Sequence, residues 1–266
     1  MKKLLLAASA AALLAFAGPA TATPSTVVWT PATTYTQPFL VPHLTYDTYF
    51  GEQGNLQNTY GLTIGFLPTE KIQGELGVDL FYPGFTKDFF QVNGKLTLME
   101  GAVGEWAPGL SVGVANLGFK KDVSNYGLVY AALGKTIGPA GTIGLGGYYG
   151  AMSKLLWTGS GGSVARSGFM ASYTSPDINL NLTGLKKLVV AADLATGKNW
   201  FGGFGASLVA YFTDSVSVLT GPVILQDKDL YKAGTAGSNF VWTVQLDVDF
   251  DLRAPPPPAP AASPAK

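Results

Sequence analysis

Residues 72–80 read Ile-Gln-Gly-Glu-Leu-Gly-Val-Asp-Leu and alternate between two chemical characters. The odd positions include Gln73, Glu75 and Asp79, whereas the even positions carry only aliphatic residues and one glycine. Successive side chains of a β-strand point to opposite faces, so this period of two separates an apolar face from a polar one. A helix would scatter the same charges around its surface. The stretch therefore predicts a two-faced strand.

The same alternation recurs along the chain. It is clear at 60–66, 90–98 and 240–250 and weaker in eight further segments. The weaker segments are 43–50, 108–117, 125–135, 140–149, 166–174, 185–192, 200–212 and 215–224. The total is about twelve, with about ten or fourteen as alternatives, and bacterial transmembrane barrels have even strand numbers. We predict an all-β fold: a single up-and-down antiparallel transmembrane β-barrel over 43–252.

Composition supports a membrane barrel. Only 13% of the residues are charged and the mean hydropathy is +0.23, yet no stretch after the N-terminus approaches a membrane-spanning apolar run, which takes about 20 residues. A chain that crosses lipid without such a helix must close its strands into a barrel, because lipid cannot satisfy open backbone groups. The alternative is a soluble β-sandwich that buries one face of each sheet. The polar character of the second face favours the barrel.

Three segments lie outside the predicted barrel. Residues 1–22 combine Lys2 and Lys3, an apolar run and the small-x-small pattern Ala-Thr-Ala, which predicts a secretory signal peptide. Residues 23–42 are rich in Thr and Pro and predict either a periplasmic N-terminal arm or a lumen plug. The Pro/Ala-rich residues 253–266 predict a disordered tail, acting as a tether or binding a periplasmic partner.

The spacing between strands agrees with a barrel whose two termini lie in the periplasm. Three inner turns, at 68–70, 138–140 and 213–215, are short. The predicted outer loops are mostly longer and lie at 51–58, 82–88, 118–124, 150–165, 193–199 and 225–238. Short periplasmic turns and longer extracellular loops are the expected asymmetry. Residues 175–184 form the exception, a long inner connection.

Two segments carry a family resemblance. Residues 241–252, Val-Trp-Thr-Val-Gln-Leu-Asp-Val-Asp-Phe-Asp-Leu, resemble the closing strand of bacterial outer-membrane barrels, with Phe250 as the aromatic near the end. Here a tail follows that aromatic. The hairpin at 210–218 resembles the tight inner turns of outer-membrane transporters, including the phenol-degradation-pathway group. The resemblance implies a location in the outer membrane among its lipids, and assembly by the barrel-assembly machinery.

The composition excludes several functions. The chain has no cysteine, which excludes a lipoprotein anchor, disulfides and covalent haem. Its 17 basic and 17 acidic residues balance, so no nucleic-acid partner is expected. Barrel hydrolases pair a histidine with a serine nucleophile, but the single histidine, His43, is in no such pattern and is expected at the inner rim. We therefore expect no enzymatic activity, no metal site and no cofactor.

The predicted lumen carries the functional hypothesis. Seven charged residues are expected to face inward: Asp47, Glu75, Asp79, Lys95, Lys135, Asp247 and Asp249. The acids outnumber the bases, and such a wall favours cations. Closure should bring Asp47 near Asp247 and Asp249, and Lys95 should pair with Glu75 or Asp79.

Small inward residues are expected to leave space in this lumen. They are Ser111, Gly113, Ala115, Gly144, Gly146, Gly203, Gly205 and Ser207. The chain is thus predicted to be a channel or transporter for passive, weakly cation-preferring passage of small solutes. The alternatives are a packed, non-conducting barrel, and a structural or adhesive one that acts through its extracellular loops 150–165 and 225–238 or its tail.

Overall fold

A computed structural model describes residues 26–82, 90–120, 124–180, 182–233 and 237–253. The predicted signal peptide, and the predicted tail after Arg253, lie outside the described residues. The outer loop predicted at 82–88 lies almost wholly outside them as well.

The described residues form twelve strands in one sheet. The strands are β1 Pro42–Gly51, β2 Gly54–Gly65, β3 Ile72–Tyr82, β4 Phe90–Leu98, β5 Gly109–Gly118, β6 Asn125–Thr136, β7 Thr142–Gly150, β8 Ser167–Thr174, β9 Lys187–Ala195, β10 Gly203–Tyr211, β11 Val216–Leu225 and β12 Phe240–Asp249. Each strand pairs antiparallel with its neighbour in sequence, and β12 pairs with β1. The sheet is therefore a closed up-and-down barrel, which confirms the predicted fold class and strand number.

The connections divide the barrel into two ends. At the turn end, where β1 begins and β12 ends, the tight turns follow β2, β6 and β10, and the longer inner connection 175–186 follows β8. At the loop end, 151–166, 196–202 and 226–239 are longer, and a short helix, α1 (Lys228–Ala233), lies in the last of them. No helix among the described residues is long and apolar enough to cross a membrane.

The outward face of the barrel is apolar. Its exposed aliphatic residues lie along the middle of the strands, for example Leu76, Leu96, Leu145 and Leu208. Exposed aromatic residues lie toward the ends: Phe50, Tyr149, Phe169, Phe204, Phe240 and Trp242 at the loop end, and Phe66, Tyr173 and Phe212 at the turn end. Apolar bands flanked by aromatic girdles are the surface of outer-membrane barrels. This surface confirms the predicted transmembrane barrel and its outer-membrane location.

A charge on the outward face should destabilise the barrel according to its depth. Leu208 is exposed near the middle of β10, and Leu182 is exposed in the connection 175–186. We expect Leu208→Arg to lower the free energy of unfolding in lipid vesicles by about 2–4 kcal/mol, because the guanidinium meets hydrocarbon. Leu182→Arg, the matched control, should cost about 1 kcal/mol or less. Urea titrations followed by tryptophan fluorescence measure both. Equal losses would contradict a lipid-facing surface on β10.

Candidate functional site

Residues 26–41 are called the arm below; most of them lie inside the barrel, and Leu40, at the turn end, is exposed. The arm runs from the loop-end half of the lumen to the turn end, where it continues into β1. Its strongest attachment is Asp193 on β9, whose Oδ2 accepts the backbone N–H groups of Val28, Trp29 and Thr30 at 2.9, 2.8 and 2.7 Å. Val28 and Asp193 are both almost fully buried. One carboxylate oxygen therefore fixes three successive residues of the arm.

Further hydrogen bonds fix the arm near the turn end. The Gln37 backbone N–H donates to Glu75 Oε2 at 2.6 Å, and the Gln37 side-chain amide donates to Asp249 Oδ1 at 2.9 Å. The Ser172 hydroxyl donates to the Ala32 carbonyl at 2.5 Å. The arm is thus tied to β3, β8 and β12 as well as β9, and it fills part of the lumen cross-section.

Small residues on the inner wall make room for the arm. A Cβ atom at Gly144 would lie 2.0 Å from the Ala32 carbonyl oxygen, and one at Gly205 would lie 2.8 Å from Val28 Cγ1. At these positions the space that the sequence suggested for solute is occupied by chain. The expectation that Gly144 and Gly205 leave an open lumen was wrong for this reason.

Aromatic residues close much of the loop end. Trp157, fully buried, donates its indole N–H to the Tyr126 carbonyl at 3.2 Å. Its ring lies 5.7 Å from the Tyr148 ring and 6.2 Å from the Phe201 ring, centroid to centroid. A side chain at Gly150 would collide with the indole, since a Cβ there would lie 2.2 Å from it. The loop 151–166 therefore folds inward over the barrel mouth.

Asp227 holds two outer loops together. Its Oδ2 accepts the backbone N–H of Ser160 at 2.9 Å, and its Oδ1 accepts that of Leu230, in the first turn of α1, at 3.2 Å. Burial alone would raise the pKa of Asp227. The hydrogen bonds from Ser160 and Leu230 outweigh burial, and the pKa lies below its usual value. The carboxylate therefore stays ionised and keeps both loops in place at neutral pH.

A cavity of about 300 Å³ remains beside the arm. One part of its wall is polar and comes from β1 to β4 and β12; it includes Asp47, Asp79 and Asp247. The other part is aromatic and includes Tyr49 and Trp200. Pockets of this size are at the lower end of the range for small molecules.

The floor of the cavity is a buried cluster around His43. The imidazole Nδ1 lies 2.9 Å from Asp249 Oδ1, and Nε2 lies 3.2 Å from Asp247 Oδ1. All three side chains are at most 3% exposed. His43 lies at the turn end of β1, where it was expected, but pairing of β1 with β12 places it opposite Asp249 on the inner face, so its side chain is buried rather than exposed at the rim. Both ring nitrogens are occupied by carboxylates.

Glu75 and Lys95 form a second buried pair. Lys95 Nζ lies 3.1 Å from Glu75 Oε1, and the two residues are direct neighbours across β3 and β4. Of the two partners predicted for Lys95, Glu75 is the one found. Because Glu75 also accepts the Gln37 backbone N–H, this pair connects the barrel wall to the arm.

Asp47 and Asp79 differ from the other inward acids. Asp47 Oδ1 accepts the Thr45 hydroxyl at 2.6 Å, and Asp79 Oδ2 accepts the Asn93 amide at 2.5 Å. Within the described ranges neither carboxylate has a Lys, Arg or His nitrogen at ion-pair distance. Both side chains are partly accessible in the cavity. Of the acids in the cavity wall, these two have no basic side chain at ion-pair distance among the described residues.

Lys135 does not face the lumen. Gly134, its neighbour on β6, faces inward, since a Cβ there would lie 2.3 Å from Thr34 of the arm. Alternation then points Lys135 the other way, and its Nζ pairs with Glu100 Oε1 at 2.8 Å in the turn after β4. The prediction of Lys135 as a lumen-lining residue was wrong because the alternation in β6 was read one residue out of phase.

Sequence reasoning missed Asp193 and the aromatic wall. The predicted strand 185–192 stopped one residue short of Asp193, whereas β9 continues to Ala195. The signal was present, because Val189, Ala191, Asp193 and Ala195 alternate as buried positions along β9. Tyr49 continues the inward face of β1 and could have been found in the same way. Among the described residues, no group of three or more His, Cys, Asp or Glu side chains is arranged to hold a metal ion.

Solved structures with barrel architecture are similar to this chain. An outer membrane channel from Pseudomonas putida F1 is 12% identical, with 81% of this chain and 97% of that one covered and a TM-score of 0.44. The NanC porin is 9% identical, with 79% and 100% covered and a TM-score of 0.48. Outer membrane phospholipase A from Escherichia coli is 12% identical, with 82% and 99% covered and a TM-score of 0.43. No family model and no curated protein sequence matches the chain.

Proposed function

We propose that this protein is an outer-membrane channel for the passive passage of small solutes, with a weak preference for cations. The observation that carries the proposal is the cavity of about 300 Å³ inside a membrane barrel, with Asp47 and Asp79 unmatched by a cation among the described residues. Fixed carboxylates in a narrow polar passage attract cations and repel anions. The outer-membrane lipid surrounds the apolar face, and the barrel-assembly machinery would insert the chain.

A non-conducting structural or adhesive barrel is the second candidate. It is favoured by the arm, which occupies the lumen through buried hydrogen bonds to Asp193 and Glu75, and by Trp157 at the mouth. Such a barrel would act through its outer loops or through a periplasmic partner of its tail. A hydrolytic role is not proposed, because both ring nitrogens of His43 face carboxylates rather than a hydroxyl nucleophile.

Ion preference tests the channel. In planar bilayers with a KCl gradient, we expect the protein, and a form lacking residues 26–37, to favour K⁺ over Cl⁻. Asp47→Asn/Asp79→Asn should reduce the permeability ratio by about a factor of two or more, because the unmatched charges are removed. Asp249→Asn should change the permeability ratio less, since Asp249 is buried against His43 and Gln37 rather than in the cavity wall.

Asp177→Asn is the matched control, because Asp177 lies in the turn-end connection 175–186, where its side chain is about half exposed and pairs with Lys187. An unchanged permeability ratio in Asp47→Asn/Asp79→Asn would show that other residues of the lumen determine the ion preference. Anion preference in the unmodified protein would refute the cation preference. An absence of conductance in both the intact and the shortened protein would favour the structural candidate.

A further inference from the structure

We propose that the lumen cavity is a binding site for a small protonated organic amine, with its ammonium group held between Asp47 and Asp79 and its apolar body against the aromatic wall. The amine is thus the ligand class of the proposed channel. Its passage through the barrel rests on the proposed function, whereas its binding in the cavity does not.

Register brings the two carboxylates to one place on the wall. Asp79 on β3 is paired with Gly61 on β2, and Gly61 is paired with Thr45 on β1. A Cβ at Gly61 would lie 2.8 Å from Asp79 Oδ1 and 2.4 Å from Thr45 Cγ2. Because residue 61 is a glycine, the side chains of Asp79 and Thr45 can both extend into the space that a Cβ would occupy. Thr45 in turn donates to Asp47 at 2.6 Å, so Asp47 and Asp79 flank the same opening in the polar wall.

A third acceptor lies beside Asp79. Gln91 on β4 is the cross-strand neighbour of Asp79 and lines the cavity. Its amide N–H donates to the Ser124 carbonyl at 3.4 Å, but its Oε1 has no hydrogen-bond partner among the described residues, although Gln91 is only 2% exposed. A buried carbonyl without a partner is costly unless a ligand or water satisfies it. A primary ammonium carries three donors, and Asp47, Asp79 and Gln91 supply three acceptors.

Charge matching favours a cation over other ligands. Of the acids that line the cavity, Glu75 is paired with Lys95, and Asp247 shares His43 with Asp249. Asp47 and Asp79 have no such partner in the described part of the chain, so an anion would meet net repulsion. Burial of an unmatched carboxylate is unfavourable, and a bound ammonium removes that cost.

The aromatic wall indicates an organic rather than an inorganic cation. Tyr49 and Phe81 lie above the carboxylates toward the loop end, and Trp200 lines the same cavity. The Tyr49 ring is held edge-on by Trp29 of the arm, with centroids 5.5 Å apart. Aromatic faces pack against apolar groups and attract cations. An inorganic ion would leave this part of the wall without a contact.

Binding can be measured on the folded full-length mature chain in a non-ionic detergent. The probe is 2-phenylethylamine, and the matched neutral compound is 2-phenylethanol, titrated at constant ionic strength by calorimetry. We expect the amine to bind at least about tenfold more tightly than the alcohol, because charge-assisted hydrogen bonds form only with the ammonium. This comparison needs no variant and stands even if a substitution impairs folding.

Variants locate the site. Asp47→Asn/Asp79→Asn should weaken amine binding by about tenfold or more, whereas Asp177→Asn should leave it unchanged. Equal affinity for amine and alcohol, or full amine affinity in the double variant, would overturn the inference. Binding of K⁺ in place of the amine would overturn it too.

Bilayer measurements keep the two proposals apart. Amine binding without any conductance or amine flux would refute the channel and leave the site intact. Conductance without amine binding would refute the site and leave the channel intact.

Discussion

Deletion of residues 26–37 is expected to raise the single-channel conductance by about fivefold or more, because a twelve-stranded barrel has room for an aqueous passage once its lumen is cleared. In the intact protein this segment lies across the lumen and is hydrogen-bonded to four strands, through Asp193, Ser172, Glu75 and Asp249. Its removal opens the turn end, while the residues of β1 that form the cavity wall are retained. Planar-bilayer recording of the refolded protein measures the effect.

A point variant tests the same contact in the full chain. Asp193→Ala leaves the buried N–H groups of Val28, Trp29 and Thr30 without their acceptor, and each buried donor left unsatisfied costs about 1–3 kcal/mol. The arm should then leave the lumen for part of the time. We expect intermittent openings and faster proteolysis within the arm.

Asp177→Ala removes an exposed carboxylate of the turn-end connection 175–186, which makes no contact with the arm in the described structure, and should behave like the unmodified protein. Heat-modifiable gel migration verifies that each variant is folded. If the shortened protein conducted no better than the intact one, closure would be due to the loop-end cluster around Trp157 rather than to the arm.

Replacing His43 with alanine is expected to lower the free energy of unfolding by about 3–5 kcal/mol, because it leaves buried carboxylates without their basic partner. Asp247 and Asp249 are at most 2% exposed as side chains, and in the described part of the chain the imidazole is the one basic group within ion-pair distance of either. The cluster joins the first and last strands at the closure of the barrel. Urea unfolding in lipid vesicles, followed by tryptophan fluorescence, measures the loss.

Charge removal should rescue this variant. In His43→Ala/Asp247→Asn/Asp249→Asn the carboxylates are replaced by neutral amides, so most of the lost stability should return. Lys186→Ala is the control for a lost ion pair, since Lys186 pairs with Asp214 where both are about half exposed; it should cost about 1 kcal/mol or less. A loss from His43→Ala no larger than that of the control would show that the cluster contributes little to barrel closure.

Much of the inner wall was predictable from alternation, and its pairings were predictable in part. Asp47, Glu75, Asp79, Lys95, Asp247 and Asp249 face inward as the pattern indicated, and adjacent strands made the Glu75–Lys95 pair foreseeable. Lys135 was assigned to the wrong face because β6 contains the mixed run Ala-Ala-Leu-Gly, whose alternation has two phases of similar quality. Asp193 was missed because the predicted strand ended at residue 192, whereas β9 continues to Ala195.

The sequence by itself determined most of the strands, most of their faces and the membrane barrel. These features follow from a local rule. Each strand must place an apolar side chain toward lipid at every second residue and must form backbone hydrogen bonds with a neighbouring strand. Only the tertiary structure decided what fills the lumen. Val28 and Asp193 are 165 residues apart, and His43 and Asp249 are 206 apart. Such contacts form because closure of the barrel and insertion of the arm bring distant inward side chains together. A local period of two in the sequence contains no information about contacts between residues so far apart.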